Sequence, residues 1–177
     1  MMKLKKTFTL VEVMTALVIF SIVIASVAGL FVSVQDSWRR QKNTLDAFQN
    51  IGWAIEFMSN ELRRAIEVNS ISNGIEFSID PDSDGHGPWL RIEYSYDNTT
   101  HKIRRCWRYG GSWNAYQDLA KSVVENPDGD DFFTVEGTGP NKTVTIELTT
   151  RPNPDEPAGR GNLNYTLVTT VRIRNKN

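Results

Sequence analysis

The sequence predicts an α+β protein: a long N-terminal helix, membrane-spanning and then amphipathic, followed by a C-terminal antiparallel β-sheet head. Three observations carry this reading. Val13 to Val34 is a run of 22 residues without a charge, and about 20 apolar residues cross roughly 30 Å of hydrocarbon as a helix. Beyond it, Trp38, Leu45, Phe48, Ile51, Ile55, Met58, Leu62 and Ile66 recur mostly at three- and four-residue steps, with Arg39, Arg40, Asp46, Glu56, Asn60, Glu61 and Arg63 between them. That is the period of a helix half-buried against a domain. After Asn69 the period falls to two, the mark of strands with one buried side.

The N-terminal segments follow in order. Residues 1–7 form a short leader with Lys3, Lys5 and Lys6, and residues 8–34 hold the span. An ordinary secretory signal has a shorter apolar core followed by a small-residue cleavage site, whereas this stretch runs into an amphipathic helix without a turn, so it reads as retained. Lysines before the span and a large polar region after it place the N-terminus in the cytoplasm and the head outside, under the positive-inside rule. The chain then passes once through the inner membrane, with a periplasmic or otherwise extracytoplasmic β-domain. Glu12 is the odd residue, because an acid carried to the bilayer centre costs roughly 2.5–3.5 kcal/mol. It needs the interface or a partner; a plain signal anchor with Glu12 at the interface is the simpler alternative.

Residues 35–68 continue the helix, which from Phe8 to Val68 would measure about 90 Å at 1.5 Å per residue. Residues 69–177 make the β-domain. Gly74 to Ile79, Trp89 to Tyr96, Lys102 to Tyr109, Phe132 to Glu136, Thr143 to Thr150 and Leu163 to Arg174 read as strands. Val144, Ile146 and Leu148 share one face, as do Tyr165, Leu167, Val171 and Ile173. Breaks rich in turn residues fall at Asp80 to Pro88, Asp97 to Thr100, Asn126 to Asp131 and Arg151 to Asn162.

Composition bounds the function. The 177 residues, 40% hydrophobic, leave room for one membrane helix and one modest exported domain. Net charge is −1, and loss of the leader leaves 17 basic against 21 acidic side chains, or −4, which gives no general reason to bind nucleic acid. Cys106 is the single cysteine; it forms no intrachain disulfide and reads as a buried apolar filler. The two histidines, His86 and His101, sit in no metal-ligand spacing, and the sequence has no phosphate loop, nucleophile elbow or HExxH. No catalytic residue is assigned.

The order Lys3, Lys5, Lys6, Thr7, then Phe8-Thr9-Leu10-Val11-Glu12-Val13-Met14 closely resembles the N-terminus of type IV prepilins and type II secretion pseudopilins. The resemblance implies a pilin-like fold, a long helix protruding from a small globular head. It also implies cleavage between Thr7 and Phe8 by a prepilin peptidase and methylation of the Phe8 amine. Thr7 stands where that family usually has Gly. Glu12 is then the signature acid for assembly: the freed amine of a neighbouring subunit could neutralise it in a filament core, where an unpaired carboxylate is expensive and a paired one much less so. Gly29 lies where many major pilins carry Pro, which mildly favours a minor subunit. The head is similar to J-type minor pseudopilins and W-type minor pilins in its helix ending near Leu62-Arg63-Arg64, its strand pair at Ile92 to Tyr94 and Ile103 to Arg105, and its closing strand Leu167 to Asn175. This implies a tip position, contact with other minor and major subunits and with the inner-membrane assembly platform, and a role in filament assembly and protein secretion.

Two further constellations are candidates for binding. Asp80-Pro81-Asp82-Ser83-Asp84-Gly85 matches the opening of a calcium loop, with Asp80, Asp82 and Asp84 at alternate positions and a Gly for the turn. Position twelve is Arg91 and not Glu, although Glu93 is near, and a solvated Asp/Gly turn is the preferred reading. Calcium binding by several pseudopilins keeps the ion as a candidate cofactor. Asn126, Asp128, Asp130 and Asp131 form a second, less ordered acidic loop. Arg91, Lys102, Arg104, Arg105 and Arg108, interleaved with Trp89, Tyr94, Tyr96, Trp107, Tyr109 and Trp113, outline a basic, aromatic strand surface. The alternative function is therefore a competence-type minor pilin or a membrane-anchored module that grips DNA or another surface ligand. Strand parity opposes it, since half of those aromatics must face the core.

Overall fold

The computed structural model describes residues 9–80, 89–138, 142–159 and 162–173. The chain divides into two compact units, Met1–Lys42 and Asn43–Asn177. Helix α1, Leu10–Leu62, begins in the first and ends in the second. Nine strands follow: β1 Ala65–Ile71, β2 Gly74–Ile79, β3 Leu90–Asp97, β4 Lys102–Tyr109, β5 Gln117–Lys121, β6 Val123–Val124, β7 Phe133–Glu136, β8 Thr143–Thr150 and β9 Tyr165–Arg172. The architecture is α+β, an apolar N-terminal helix followed by an antiparallel β-domain.

In the first unit every described helical side chain is exposed, and the apolar part of the helix is long enough to cross a membrane. Its hydroxyls do not stand idle. Thr15 donates to the Val11 carbonyl at 3.0 Å, Ser21 to Leu17 at 2.8 Å and Ser26 to Ile22 at 2.9 Å. Each is satisfied within its own helix, the condition for a polar group in hydrocarbon.

The second unit has one hydrophobic core. Ala47, Ile51, Ala54, Met58 and Leu62 of α1 are buried, at steps of three and four that put them on one face. The strands form two antiparallel sheets. One is a meander, β1-β2-β3-β4-β5; in the other, β8 pairs with β9, and also with β6 and β7. Thr149 and Thr150 of β8 oppose β6, while Thr143 to Ile146 oppose β7. Val144, Ile146 and Leu148 of β8 are fully buried, and Val171 and Ile173 nearly so, on the faces that alternation predicts. Ser122, at φ 58°, turns the chain from the first sheet into the second. Its carbonyl accepts from Thr150 Oγ1 at 2.8 Å and from the Arg151 amide at 3.0 Å. Gly74 is required where β2 meets β3, since a Cβ there would lie 2.0 Å from the Tyr94 carbonyl oxygen.

Three readings of the sequence are corrected. The helix stops at Leu62 and not at Val68, and Ile66 belongs to β1. A register shift between Ala65 and Glu67 leaves the buried Ala65 and Val68 three residues apart, a spacing that imitates a helix. Leu45 and Phe48 are 58% and 44% exposed, and the buried face is completed instead by Ala47 and Ala54, small residues that add little to a periodicity. Strands β5 and β6 had no alternation to announce them: Leu119 and Ala120 are adjacent and both buried, as are Val123 and Val124.

Candidate functional site

At the start of α1, Thr9 and Glu12 cap the helix reciprocally. The Glu12 amide donates to Thr9 Oγ1 at 3.3 Å, and the Thr9 amide donates to Glu12 Oε2 at 3.4 Å. This is the capping box, Thr-x-x-Glu, in which the N-cap hydroxyl and the carboxylate three residues on each satisfy an orphan amide. An acid here also faces the positive end of the helix dipole. The sequence held this signal in Thr9-Leu10-Val11-Glu12, ahead of an apolar run, and the reading of Glu12 as a residue in search of a partner passed over it. Thr7 and Phe8 lie outside the described residues.

In the β-domain, strand parity sorts the four arginines. Across β3 and β4, Tyr94 opposes Arg105, Ile92 opposes Trp107 and Tyr96 opposes Ile103, on the face toward the core. Arg91, Arg104 and Arg108 lie on the outer face, with Arg91 directly opposite Arg108. The structure therefore brings Arg91 and Arg108 together, places Arg104 farther along the same face, and sends Arg105 to the other side.

Arg105 closes a network with the end of the helix. Its Nε and Nη2 donate to the two carboxylate oxygens of Glu61 at 2.9 and 2.7 Å, a bidentate pair. The Tyr94 hydroxyl donates to the same carboxylate, and the guanidinium lies 5.8 Å from the Phe57 ring centroid. The Arg105 and Glu61 side chains are only 11% and 18% exposed. Burial, and then the Glu61 charge, push the Tyr94 hydroxyl far above its ordinary value. Burial favours loss of the Arg105 proton, but the Glu61 bonds and charge outweigh it and the pKa rises. Both groups keep their protons, and the network is a structural lock between α1, β3 and β4. Asn50 adds a second tie, its Oδ1 accepting from the Lys121 amide at 2.7 Å.

The outer face is a lattice of ion pairs. Arg91 meets Glu76 at 3.0 Å, Lys102 meets Asp118 at 2.6 Å, and Arg104 is bound to Asp97 and also reaches Asp118 at 3.9 Å. Arg108 makes no ion pair among the described residues; its guanidinium lies 4.7 Å from the Trp113 ring centroid. Cys106 shares this face yet is 1% exposed. Burial, then the Glu93 charge, raise its thiol above the usual range, which suits the filler role and not a nucleophile.

Of the calcium candidates, Asp82 and Asp84 lie outside the described residues, and Asp80 follows the end of β2. Among the described residues no group of three or more His, Cys, Asp or Glu could hold a metal ion. In the second acidic loop the buried Asn126 is spent on the fold: its amide donates to the Asp130 and Glu147 carbonyls at 3.1 and 3.3 Å, and its oxygen accepts from Thr149 at 2.8 Å. His86 lies outside the described residues; His101 sits 3.4 Å from Asp155 and 3.3 Å from the Tyr96 hydroxyl.

Residues 2–28 match the family described as the prokaryotic N-terminal methylation motif. The matched stretch contains Thr7, Phe8 and Glu12 and most of the uncharged run. It supports a subunit of the type IV pilin and pseudopilin kind, a structural component processed by a prepilin peptidase and assembled with other pilins. No curated protein and no solved structure matches the chain.

Proposed function

We propose that this chain is a minor pilin or pseudopilin of the J or W type. In this reading it is inserted in the inner membrane with its β-domain outside and cut between Thr7 and Phe8. It is then methylated on the new amine and built at or near the tip of a pseudopilus or pilus that serves protein secretion. The observation that carries the reading is the methylation motif over residues 2–28, set on a helix start whose acid is already engaged. Glu12 holds the Thr9 amide through a contact of 3.4 Å, long for a hydrogen bond and therefore weak. Such a cap keeps the carboxylate satisfied in the single subunit and yields to a stronger partner. A neighbour's Phe8 amine, positively charged after cleavage, is that partner, and the exchange fixes the register of one subunit against the next.

Mass spectrometry of the N-terminal peptide from host membranes is the direct test, with N-methylated Phe8 expected. An intact Met1 leader would remove the processing step and with it the filament role. Glu12→Ala is expected to leave membrane insertion intact and to abolish incorporation into filaments; normal incorporation would refute the exchange.

A further inference from the structure

On the outer face of the first sheet Arg91, Lys102 and Arg104 are paired with carboxylates, whereas Arg108 makes no ion pair among the described residues. Arg91 and Arg108 stand directly opposite each other across β3 and β4, where like charges on neighbouring strands destabilise the pair. Arg91 is half exposed and pairs with Glu76 through a single nitrogen at 3.0 Å. The Arg108 guanidinium lies on the Trp113 ring at 4.7 Å. That ring is placed by the turn after β4. Gly110, at φ 72°, starts the turn, the Gly111 amide donates to the Tyr109 carbonyl at 2.9 Å, and the Asn114 amide reaches back to the Trp107 carbonyl at 2.9 Å. A guanidinium over an indole is held by the ring's π face, and its planar fork of N–H groups can donate bidentately to a carboxylate.

We infer that Arg108, stacked on Trp113 and backed by Arg91, forms a carboxylate-recognition site for an acidic protein segment. Nucleic acid fits less well. Arg104 and Lys102, the next cations along β4, are already paired with Asp97 and Asp118, so among the described residues Arg108 is not continued along its strand by unpaired charges of the kind that follow a phosphate backbone. A guanidinium without an ion pair among the described residues, with a second cation opposite, suits one or two carboxylates.

The test is fluorescence anisotropy of a dye-labelled hexaglutamate peptide titrated with the full chain in neutral detergent micelles. Saturable binding is expected, weakened at least tenfold by Arg108→Ala and by Arg108→Lys, since an ammonium lacks the planar fork. Trp113→Ala, which removes the stacking platform and leaves both charges, is expected to weaken binding about threefold, in line with the modest strength of an exposed cation–π contact. Arg64→Ala, in the turn between α1 and β1, is expected to leave binding unchanged. Absence of binding by the parent chain, or equal weakening by Arg64→Ala and Arg108→Ala, would overturn the site. Unchanged binding after Trp113→Ala would reduce it to net charge and overturn it as well. Tighter binding of a hexathymidylate strand, lost with Arg108→Ala, would overturn the acidic-protein assignment in favour of phosphate.

Discussion

Arg104 and Arg105 are consecutive residues of one strand, both ion-paired, and energetically opposite. Arg104 lies on the outer face beside Asp97 and Asp118, its side chain 28% exposed; Arg105 lies inside against Glu61, 11% exposed. The outer pair exchanges hydration for a contact of similar strength and contributes little. The inner pair has given up most of its hydration, above all at the buried Arg105, so each partner depends on the other. The contrast teaches that a run of arginines read from sequence is not one surface. Parity divides it, and the division decides which charge holds the fold and which is available to a ligand.

The largest expected effect comes from breaking the inner pair. Glu61→Ala strands a buried guanidinium and is expected to destabilise the chain by about 3–5 kcal/mol, measured by denaturant unfolding of the full chain in detergent. Combining Glu61→Met with Arg105→Met is expected to recover much of that loss, because neither charge is then left alone. A double variant as unstable as the sum of the singles would mean the network acts through packing and not through charge. Tyr94→Phe removes one donor from the Glu61 carboxylate and keeps the ring that packs on Phe77 at 5.2 Å. A loss of about 1–3 kcal/mol is expected for the donor.

The same parity explains what was legible in the sequence. Strands β2, β4 and β8 match their alternating stretches end to end: one face of β2 and of β8 is buried without interruption, and in β4 Ile103 and Arg105 are buried and Trp107 partly so. The signal failed where the backbone departs from regular pairing: at β1, whose bulge spaces Ala65 and Val68 like a helix, and at β5, opposite the register shift between Ile103 and Arg104. The Glu61 lock was hidden for another reason. Glu61 and Arg105 are 44 residues apart, and nothing local marks a charged residue on a helix flank as the partner of one in a strand. The capping box at Thr9 and Glu12, by contrast, was readable from four residues.

Smaller effects belong to the outer face. Arg104→Ala is expected to cost only about 0.2–1 kcal/mol, and a loss as large as that of Glu61→Ala would erase the distinction between the faces. The smallest effect is a matter of pH. Burial raises the Asp97 carboxyl, but hydrogen bonds from Thr100 and Thr99 and the charge of Arg104 together outweigh it, so its pKa lies below the usual carboxylate value. A carboxylate lowered by folding contributes its stability above the unfolded pKa, about 3.9, and loses it as pH falls through the folded value. The melting temperatures of the parent chain and of Asp97→Asn are therefore expected to differ at pH 5 to 7 and to converge below about pH 4, as the parent's carboxylate is neutralised. A gap that persists unchanged at pH 2 would assign Asp97's role to the hydrogen-bonded geometry of its turn, with Thr99 and Thr100, and not to its charge.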